Sequence, residues 1–171
     1  PAIDIKVKDA IGRGWQGPTM QVDFNLPERF DVDYVGPDGL HHRVVMVHRT
    51  VLGAMERFVG CLIEHYAGDF PLWFAPIQMR ILTITDAHID YAKKLQAQLL
   101  ARSFRVECDT RNAKISYKIR EKKKKKIPYL LVVGDKEMEG SAVAVRSRKK
   151  GNEGMMLIDD FIKNAESEVR E

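Results

Sequence analysis

The sequence is poor in cysteine and contains no long apolar run. Its two cysteines, Cys61 and Cys108, belong to no CxxC pair or Cys/His cluster, which excludes a disulfide-rich scaffold and a zinc site closed by cysteines of this chain. No segment approaches the roughly 18 consecutive apolar residues of a membrane span, and no secretory leader opens the chain. We therefore expect a cytoplasmic protein with no membrane partner.

The sequence does contain enough apolar material to fold. With 171 residues, 44% hydrophobic and 30% charged, the chain can form one medium-sized domain or two small ones. It begins at Pro1 without a methionine and enters at once the strand-like segment IDIKV. We therefore expect the natural polypeptide to extend upstream.

Charge is distributed unevenly along the chain. Residues 1–75 contain 7 Lys and Arg against 10 Asp and Glu, whereas residues 76–171 contain 21 against 14. A basic stretch, residues 111–126, contains nine cationic side chains and one carboxylate, Glu121. The nine are Arg111, Lys114, Lys118, Arg120 and the run from Lys122 to Lys126. Such a stretch indicates binding to a polyanion such as nucleic acid, and a solvated lysine-rich helix end is the ordinary alternative.

Residues 1–75 have the patterns of a sheet covered by one helix. Apolar residues alternate in IDIKVKD and TMQVDF, and the apolar run RVVMVHR indicates a central strand covered on both faces. From Val51 to Tyr66, apolar residues recur every three or four positions, which predicts a long and mostly buried helix. We therefore expect an antiparallel sheet with one long helix.

A domain boundary is expected between residues 75 and 76, where Pro71 and Pro76 flank a rigid apolar joint. Strands are then predicted in QMRILTI, RVECD, IPYLLVVGD and residues 142–148, and helices over residues 86–102, 112–124 and 156–168. In the first of these helices, the residues expected to face inward are Ile89, Leu95, Leu99 and Leu100. The second domain, residues 76–171, is therefore predicted as an α/β fold whose mixed sheet is flanked by helices.

Polar side chains on two predicted strands are candidates for a ligand site. Thr19, Gln21 and Asp23 alternate along one strand and so point to one side of the sheet, although an ordinary solvent-facing surface gives the same pattern. His48 ends an apolar strand, where an imidazole needs a carbonyl, a carboxylate or a metal as its partner. A histidine satisfied within the core is the ordinary alternative.

Arg57 is a candidate ligand for an anion. It lies mid-helix, one turn past Gly53 and near Gly60, where small neighbours leave room for a ligand against the helix. A guanidinium keeps its charge and forms paired hydrogen bonds with phosphate or carboxylate groups. The ordinary alternative is a structural ion pair with Glu56 or Glu64.

Five segments of the chain occur in an order that is typical of one enzyme family. They are WQGPTMQVDFNLPERF, VHRTVLGAMERF, FPLWFAPIQ, DTRNAKISYKIREKKKKKIPYLLVVGDKEME and VAVRSR. Together they resemble the C-terminal part of the threonyl-tRNA synthetases, which are class II aminoacyl-tRNA synthetases, and HRxxLGxMERF includes the third class II signature. The resemblance implies a remnant of the antiparallel class II catalytic sheet followed by an anticodon-binding domain.

The resemblance also implies the chemistry of the first domain. Arg57 then contacts the phosphates of ATP, which binds with Mg²⁺, while Gln16 and Thr19 line the adenylate pocket. Gln21 lies beside the amino acid on the polar floor of the pocket. His48 matches a zinc ligand whose partners, a Cys and a His, come from upstream sequence, so this chain alone is not expected to bind zinc. In the family, zinc binds the hydroxyl of threonine directly, and it rejects valine because valine has no hydroxyl.

The second domain is implied to recognise the anticodon of tRNA(Thr). Asn112, Glu137 and Arg146 match positions that contact anticodon bases, and Lys126 stands where the family often has Arg. A splayed anticodon exposes its base edges to amide, carboxylate and guanidinium groups, and threonine anticodons share G and U at their second and third positions. The full-length enzyme ligates threonine to tRNA(Thr) through an adenylate and is usually a homodimer.

The chain also departs from the family pattern. Gly17 stands where the family usually has Cys, Pro18 where it has Gly or Ala, and Ala54 where it often has Ser. The first two class II signatures and two zinc ligands are missing, so we expect that this chain alone does not aminoacylate tRNA. Two alternatives stay open. One is a stand-alone RNA-binding module or regulatory paralogue, and the other is a domain whose lysines only keep it in solution.

Overall fold

The structure is a computed structural model that describes residues 1–170, except for the side chains of Lys122 and Lys123. These two lysines of the basic stretch, and Glu171 at the end of the predicted second domain, therefore lie outside the described residues. The contacts divide the chain into two units, Pro1–Gly68 and a second unit that begins at Asp69. The domain boundary expected between residues 75 and 76 stays a prediction.

The first unit is built on an antiparallel sheet. Its elements are β1 (Ala2–Lys8), β2 (Gly14–Asp23), α1 (Asn25–Arg29), β3 (Asp33–Val35), β4 (His41–Arg43), β5 (Met46–Thr50) and α2 (Met55–Tyr66). Strand β2 pairs with β1 on one side and with β5 on the other, and β3 pairs with β4 in a separate hairpin. The predicted antiparallel sheet with one long helix is confirmed.

Burial in the first unit differs from the expectation. The strand predicted at the centre of the sheet, β5, lies at its edge, and Val45 and Val47 are 54% and 57% exposed. Helix α2 begins at Met55 rather than near Val51, and each of its residues is at least partly exposed. The prediction of a mostly buried helix was wrong because an apolar period identifies the apolar face of an element but not what covers it.

The second unit has a mixed sheet. Its elements are β6 (Met79–Thr83), a 3₁₀ turn (Asp86–His88), α3 (Ile89–Ala101), β7 (Val106–Asp109), α4 (Ile115–Lys124), β8 (Tyr129–Val133), α5 (Asp135–Glu139), β9 (Ala142–Ser147), β10 (Gly151–Leu157) and α6 (Ile158–Arg170). The strand order is β10-β9-β8-β6-β7, in which β6 is parallel to β7 and β8, while β9 is antiparallel to β8 and β10. The predicted α/β fold is confirmed.

The sheet of the second unit separates two apolar clusters. One face packs against α3 and α6 and forms the larger cluster. On the other face, Leu82, Leu130 and Val132 pack with Ile115 and Ile119 of α4. Helix α4 contains most of the basic stretch, so the fold places that stretch on one defined face of the sheet.

Two elements of the second unit were not predicted from the sequence. Strand β10 does not show the regular alternation of apolar and polar residues that is typical of a strand. Its Gly151 and Gly154 have positive φ angles of 81° and 84°, and its register shifts between Asn152 and Gly154. Helix α5 has only 5 residues, too few to show a helical period. Within residues 1–170, none of the helices has the length and apolar character needed to cross a bilayer.

Candidate functional site

The polar side chains of β2 share one face with β5. Direct cross-strand partners lie on the same face, and Gln21 pairs with His48 while Thr19 pairs with Thr50. The backbone N–H of Thr19 donates to Thr50 Oγ1 at 3.0 Å. Gln21 and His48 border an open depression of about 500 Å³. The structure therefore brings Thr19, Gln21 and His48 to one side of the sheet.

His48 has a carboxylate partner. Its Nε2 lies 2.9 Å from Asp23 Oδ2, while Asp23 Oδ1 accepts hydrogen bonds from the backbone N–H groups of Asn25 and Leu26. The hydrogen bond from His48, followed by those from the backbone, lowers the pKa of Asp23. Among residues 1–170, no three His, Cys, Asp or Glu side chains form a group that could hold a metal ion. His48 and Asp23 alone therefore do not fit a zinc site.

Arg57 is held against β2 by two contacts. Its Nη1 donates to the carbonyl oxygen of Gln16 at 3.2 Å, and its Cζ lies 5.3 Å from the centre of the Trp15 ring. The Glu64 carboxylate, one of its expected partners, instead contacts Arg13 at 3.3 Å. Arg57 is exposed, so its guanidinium is both restrained and accessible to an anion. The side chain of Gln16 donates to Asp4 Oδ1 at 3.2 Å.

Trp15 is fixed by residues that the sequence analysis did not identify. Its Nε1 donates to Asp9 Oδ2 at 2.9 Å, and Arg13 Cζ lies 5.5 Å from the centre of the ring. The Asp9 side chain is 1% exposed, and burial alone would raise its pKa. Hydrogen bonds from Trp15 and Arg13 outweigh burial and hold the pKa of Asp9 well below its usual value. The available signal was an Asp that opens a turn between two strands.

Two glycines beside this site are required by close packing. A Cβ added at Gly17 would lie 2.8 Å from Val7 Cγ2 and 3.1 Å from the carbonyl oxygen of Ile5. Gly53 has a φ of +70°, and a Cβ there would lie 3.0 Å from the carbonyl oxygen of Gly17. Strand β1 and the turn before α2 thus approach Gly17 closely.

Arg146 and Lys126 border one cavity of about 340 Å³ in the second unit. Arg146 is the direct cross-strand partner of Leu130, so its side chain lies on the α4 face of the sheet. Ile119, Ile127 and Leu130 supply apolar lining, and the described residues that border the cavity include no carboxylate. A cavity with apolar lining and cationic sides suits a flat ring joined to an anion, as in a nucleotide.

Arg146 is more available to a ligand than Arg148, which borders the same cavity. Its side chain is half-buried and has no hydrogen-bond or ion-pair partner among the residues that the structure describes. By contrast, Arg148 donates to the carbonyl oxygens of Lys126 at 2.7 Å and Phe70 at 2.8 Å. Partly burying an unpaired charge costs free energy, which a bound anion or base edge would offset.

Asn112 and Glu137 are not among the described residues that border this cavity. Asn112 is exposed in the loop between β7 and α4, and Glu137 is half-buried in α5, directly after β8. Because β7 and β8 both run parallel to β6, their carboxyl ends meet at one edge of the sheet. Asn112 and Glu137 follow that edge, whereas Lys126 precedes the amino end of β8. The four predicted residues thus form two groups at opposite ends of β8.

The basic stretch is not a uniformly solvated surface. Lys118 is 1% exposed, and its Nζ donates to the carbonyl oxygens of Thr83 at 2.9 Å and Asp109 at 3.2 Å. Arg111 forms paired hydrogen bonds with the Asp109 carboxylate at 2.9 and 2.7 Å and contacts Glu121 at 2.8 Å. These two cations therefore stabilise the fold. The other described members, all of them exposed, are Lys114, Arg120, Lys124, Lys125 and Lys126.

Both parts of the chain match known protein families. Residues 76–168 match the anticodon binding domain, and residues 1–66 match the tRNA synthetase class II core domain (G, H, P, S and T). The sequence is 55% identical over 170 residues to the threonine–tRNA ligase of Clostridium botulinum (strain Loch Maree / Type A3). It is 53% identical over 171 residues to that of Clostridium acetobutylicum. The alignments cover 99% and 100% of this chain but only 27% of each relative.

A solved structure resembles this fold. The crystal structure of the RNA binding domain of threonyl-tRNA synthetase from Cryptosporidium parvum Iowa II superposes with a TM-score of 0.82 at 35% sequence identity. The match covers 98% of this chain and 42% of that chain. The resemblance expected from the sequence motifs is therefore confirmed.

Proposed function

Because this chain belongs to the threonyl-tRNA synthetase family, we propose that it is the anticodon-recognising part of a threonine–tRNA ligase. Its second unit recognises the anticodon of tRNA(Thr), and its first unit supplies one wall of the pocket for ATP and threonine. The complete ligase joins threonine to tRNA(Thr) through a threonyl-adenylate, acts in the cytoplasm and is a homodimer. This chain alone does not catalyse the ligation.

The observation that carries the proposal is the half-buried guanidinium of Arg146, which has no partner among the described residues, in the cavity that Lys126 shares. A guanidinium donates paired hydrogen bonds to a base edge, and the apolar lining of the cavity receives the face of the ring. The exposed lysines and arginine of the basic stretch supply the phosphate contacts. Asn112 and Glu137, at the other end of β8, contact a further part of the splayed anticodon loop.

In the first unit, Arg57 is proposed to contact the phosphates of ATP. Attack of the threonine carboxylate on the α-phosphate increases negative charge, which a guanidinium already fixed in place stabilises. The Gln16 carbonyl and the Trp15 ring limit the movement of Arg57, which supports this role. Gln16 and Thr19 line the adenylate side of the pocket. Mg²⁺ accompanies ATP as part of the substrate.

We expect Arg146→Ala to weaken binding of an anticodon stem-loop with G and U at its second and third positions by about 1–3 kcal/mol. The loss follows from removing the Arg146 guanidinium, the group proposed to donate hydrogen bonds to a base edge. Filter binding at two salt concentrations measures it, with a scrambled loop for comparison. The matched control is Arg102→Ala, which removes an exposed guanidinium that pairs with Glu166 at 3.1 Å. Equal losses on both loops would contradict anticodon recognition by Arg146.

His48 is proposed as one zinc ligand of the full-length ligase, with the others supplied by upstream sequence. The purified chain is then expected to contain far less than one zinc per molecule, because one imidazole with one carboxylate neighbour does not close a tetrahedral site. Elemental analysis after dialysis against zinc measures this. One tight zinc per chain that disappears in His48→Ala would show that this chain completes the site by itself.

A further inference from the structure

Helix α5, which contains Glu137, is too short to be stable by itself. It has 5 residues, each at least partly exposed. An isolated helix of this length does not persist in water, because its few hydrogen bonds do not repay the cost of nucleation. The orientation of Glu137 must therefore be set by contacts between α5 and the rest of the second unit.

A buried histidine supplies the first contact. His88, in the 3₁₀ turn that precedes α3, is 1% exposed, and its Nδ1 accepts the backbone N–H of Thr85 at 3.2 Å. This places the ring proton on Nε2, which donates to Asp135 Oδ1 at 2.9 Å. Asp135 is the first residue of α5. The buried imidazole is thus bonded to the start of the helix.

A half-buried phenol supplies the second contact. The Tyr91 hydroxyl lies 2.8 Å from the carbonyl oxygen of Ala142 and 3.2 Å from that of Glu137. Burial, followed by the nearby Glu137 charge, raises the pKa of Tyr91, so the hydroxyl keeps its proton and remains a donor. Tyr91 therefore contacts both the middle of α5, at Glu137, and the start of β9, at Ala142.

The Glu137 carboxylate is left with one oxygen for a ligand. Its Oε2 accepts the backbone N–H of Gly134 at 3.0 Å, which is the one hydrogen bond to this carboxylate among the described residues. Oε1 can accept a proton from an N–H group on a base edge, such as the 2-amino group of guanine or N3–H of uracil. Its direction depends on where α5 is held.

We infer that His88 and Tyr91 are positioning residues, which hold α5 so that Glu137 Oε1 faces an anticodon base. His88 acts through Asp135, and Tyr91 acts through the Glu137 carbonyl. The inference rests on the proposed function, because it takes Glu137 as a base-contacting residue. It adds His88, from the 3₁₀ turn, and Tyr91, from the first turn of α3, to the determinants of anticodon specificity.

The test measures binding of the full chain to three hairpin RNAs. The first has G and U at the second and third anticodon positions, the second has inosine in place of G, and the third has N3-methyluridine in place of U. Each substitution removes one base N–H donor. Glu137→Gln identifies the donor that hydrogen-bonds to Glu137. In this variant, the preference for the unmodified hairpin over the hairpin that lacks that donor falls. His88→Asn and Tyr91→Phe are expected to reduce the same preference by about three- to tenfold.

Two further variants control the test. His88→Gln has an amide that can still donate toward Asp135, so it is expected to retain most of the preference. Tyr34→Phe removes a hydroxyl from a tyrosine that is 51% exposed in the first unit, and it should change nothing. Circular dichroism checks folding, and Tyr91→Phe decides the test if His88→Asn does not fold.

The outcomes separate the inference from the function on which it rests. A shared loss of one preference in Glu137→Gln, His88→Asn and Tyr91→Phe supports positioning. Positioning is overturned if His88→Asn and Tyr91→Phe weaken binding to all three hairpins equally. It is also overturned if these two variants keep the preference that Glu137→Gln abolishes. In both cases the proposed anticodon recognition stands. If Glu137→Gln itself changes no preference, the proposed role of Glu137 is wrong and the inference is overturned with it.

Discussion

Lys118→Met is expected to lower the free energy of unfolding of the second unit by about 2–4 kcal/mol. Methionine fills the space of the lysine stem but leaves the buried carbonyl oxygens of Thr83 and Asp109 without their Nζ donor. A buried carbonyl oxygen that loses its donor costs about 1–3 kcal/mol, and the Asp109 oxygen keeps a second donor, Thr83 Oγ1, at 3.4 Å. Removing a buried charge offsets part of that loss. The backbone acceptors remain, so the net effect is destabilising. Urea unfolding followed by circular dichroism measures it.

Lys114→Met is the matched control for Lys118→Met. Lys114 belongs to the same basic stretch but is exposed, so we expect a change in unfolding free energy within about 0.5 kcal/mol. For RNA binding, Lys114→Met is expected to have the larger effect of the two variants. Lys114→Met should reduce the slope of log affinity against log salt by about 0.7, while Lys118→Met should leave the slope unchanged. A reduced slope in Lys118→Met would mean that its ammonium reaches phosphate, contrary to its burial.

The basic stretch shows what a sequence can and cannot predict. Its nine cations are compatible with the anticodon binding domain that residues 76–168 match, but their individual roles depend on the fold. Lys118 points between the carboxyl ends of β6 and β7, and Arg111 is held by Asp109 and Glu121. Lys118 is buried whereas Arg120, in the same helix, is exposed, because successive helix positions are about 100° apart around the axis. A count of charges contains no such information.

The candidate sites were predictable to different degrees. The family resemblance suggested Arg57 and Arg146 as candidates, and their surroundings are consistent with ligand binding. The supporting residues were not predictable, because Asp9 and His88 act through contacts that only the folded chain brings together. Asp9 fixes Trp15 from the turn that follows β1, and His88 reaches Asp135 across 47 residues of sequence. The turn between β1 and β2 was a signal for Asp9, but the contact from His88 to Asp135 follows no periodicity and no local motif.

Leu99→Ala is expected to be among the most destabilising single changes in the second unit, at about 3–4 kcal/mol. Leu99 is fully buried and packs in the larger apolar cluster between the sheet and α3. Truncation loses the transfer free energy of three carbon atoms and leaves a cavity that a close-packed core fills only in part. Alanine has a slightly better helix propensity than leucine, so the helix itself is not weakened. Thermal and urea unfolding both measure the effect.

Leu100→Ala is the control, because it makes the same chemical change at the next position of the same helix. The sequence pattern assigned both leucines to the inward face, but Leu100 is 51% exposed. A rotation of about 100° per residue takes Leu100 away from the stripe that Leu95 and Leu99 share. We therefore expect Leu100→Ala to cost less than about 1 kcal/mol. Similar losses for the two variants would contradict the orientation of α3 against the sheet, and with it the placement of His88 and Tyr91 beside α5.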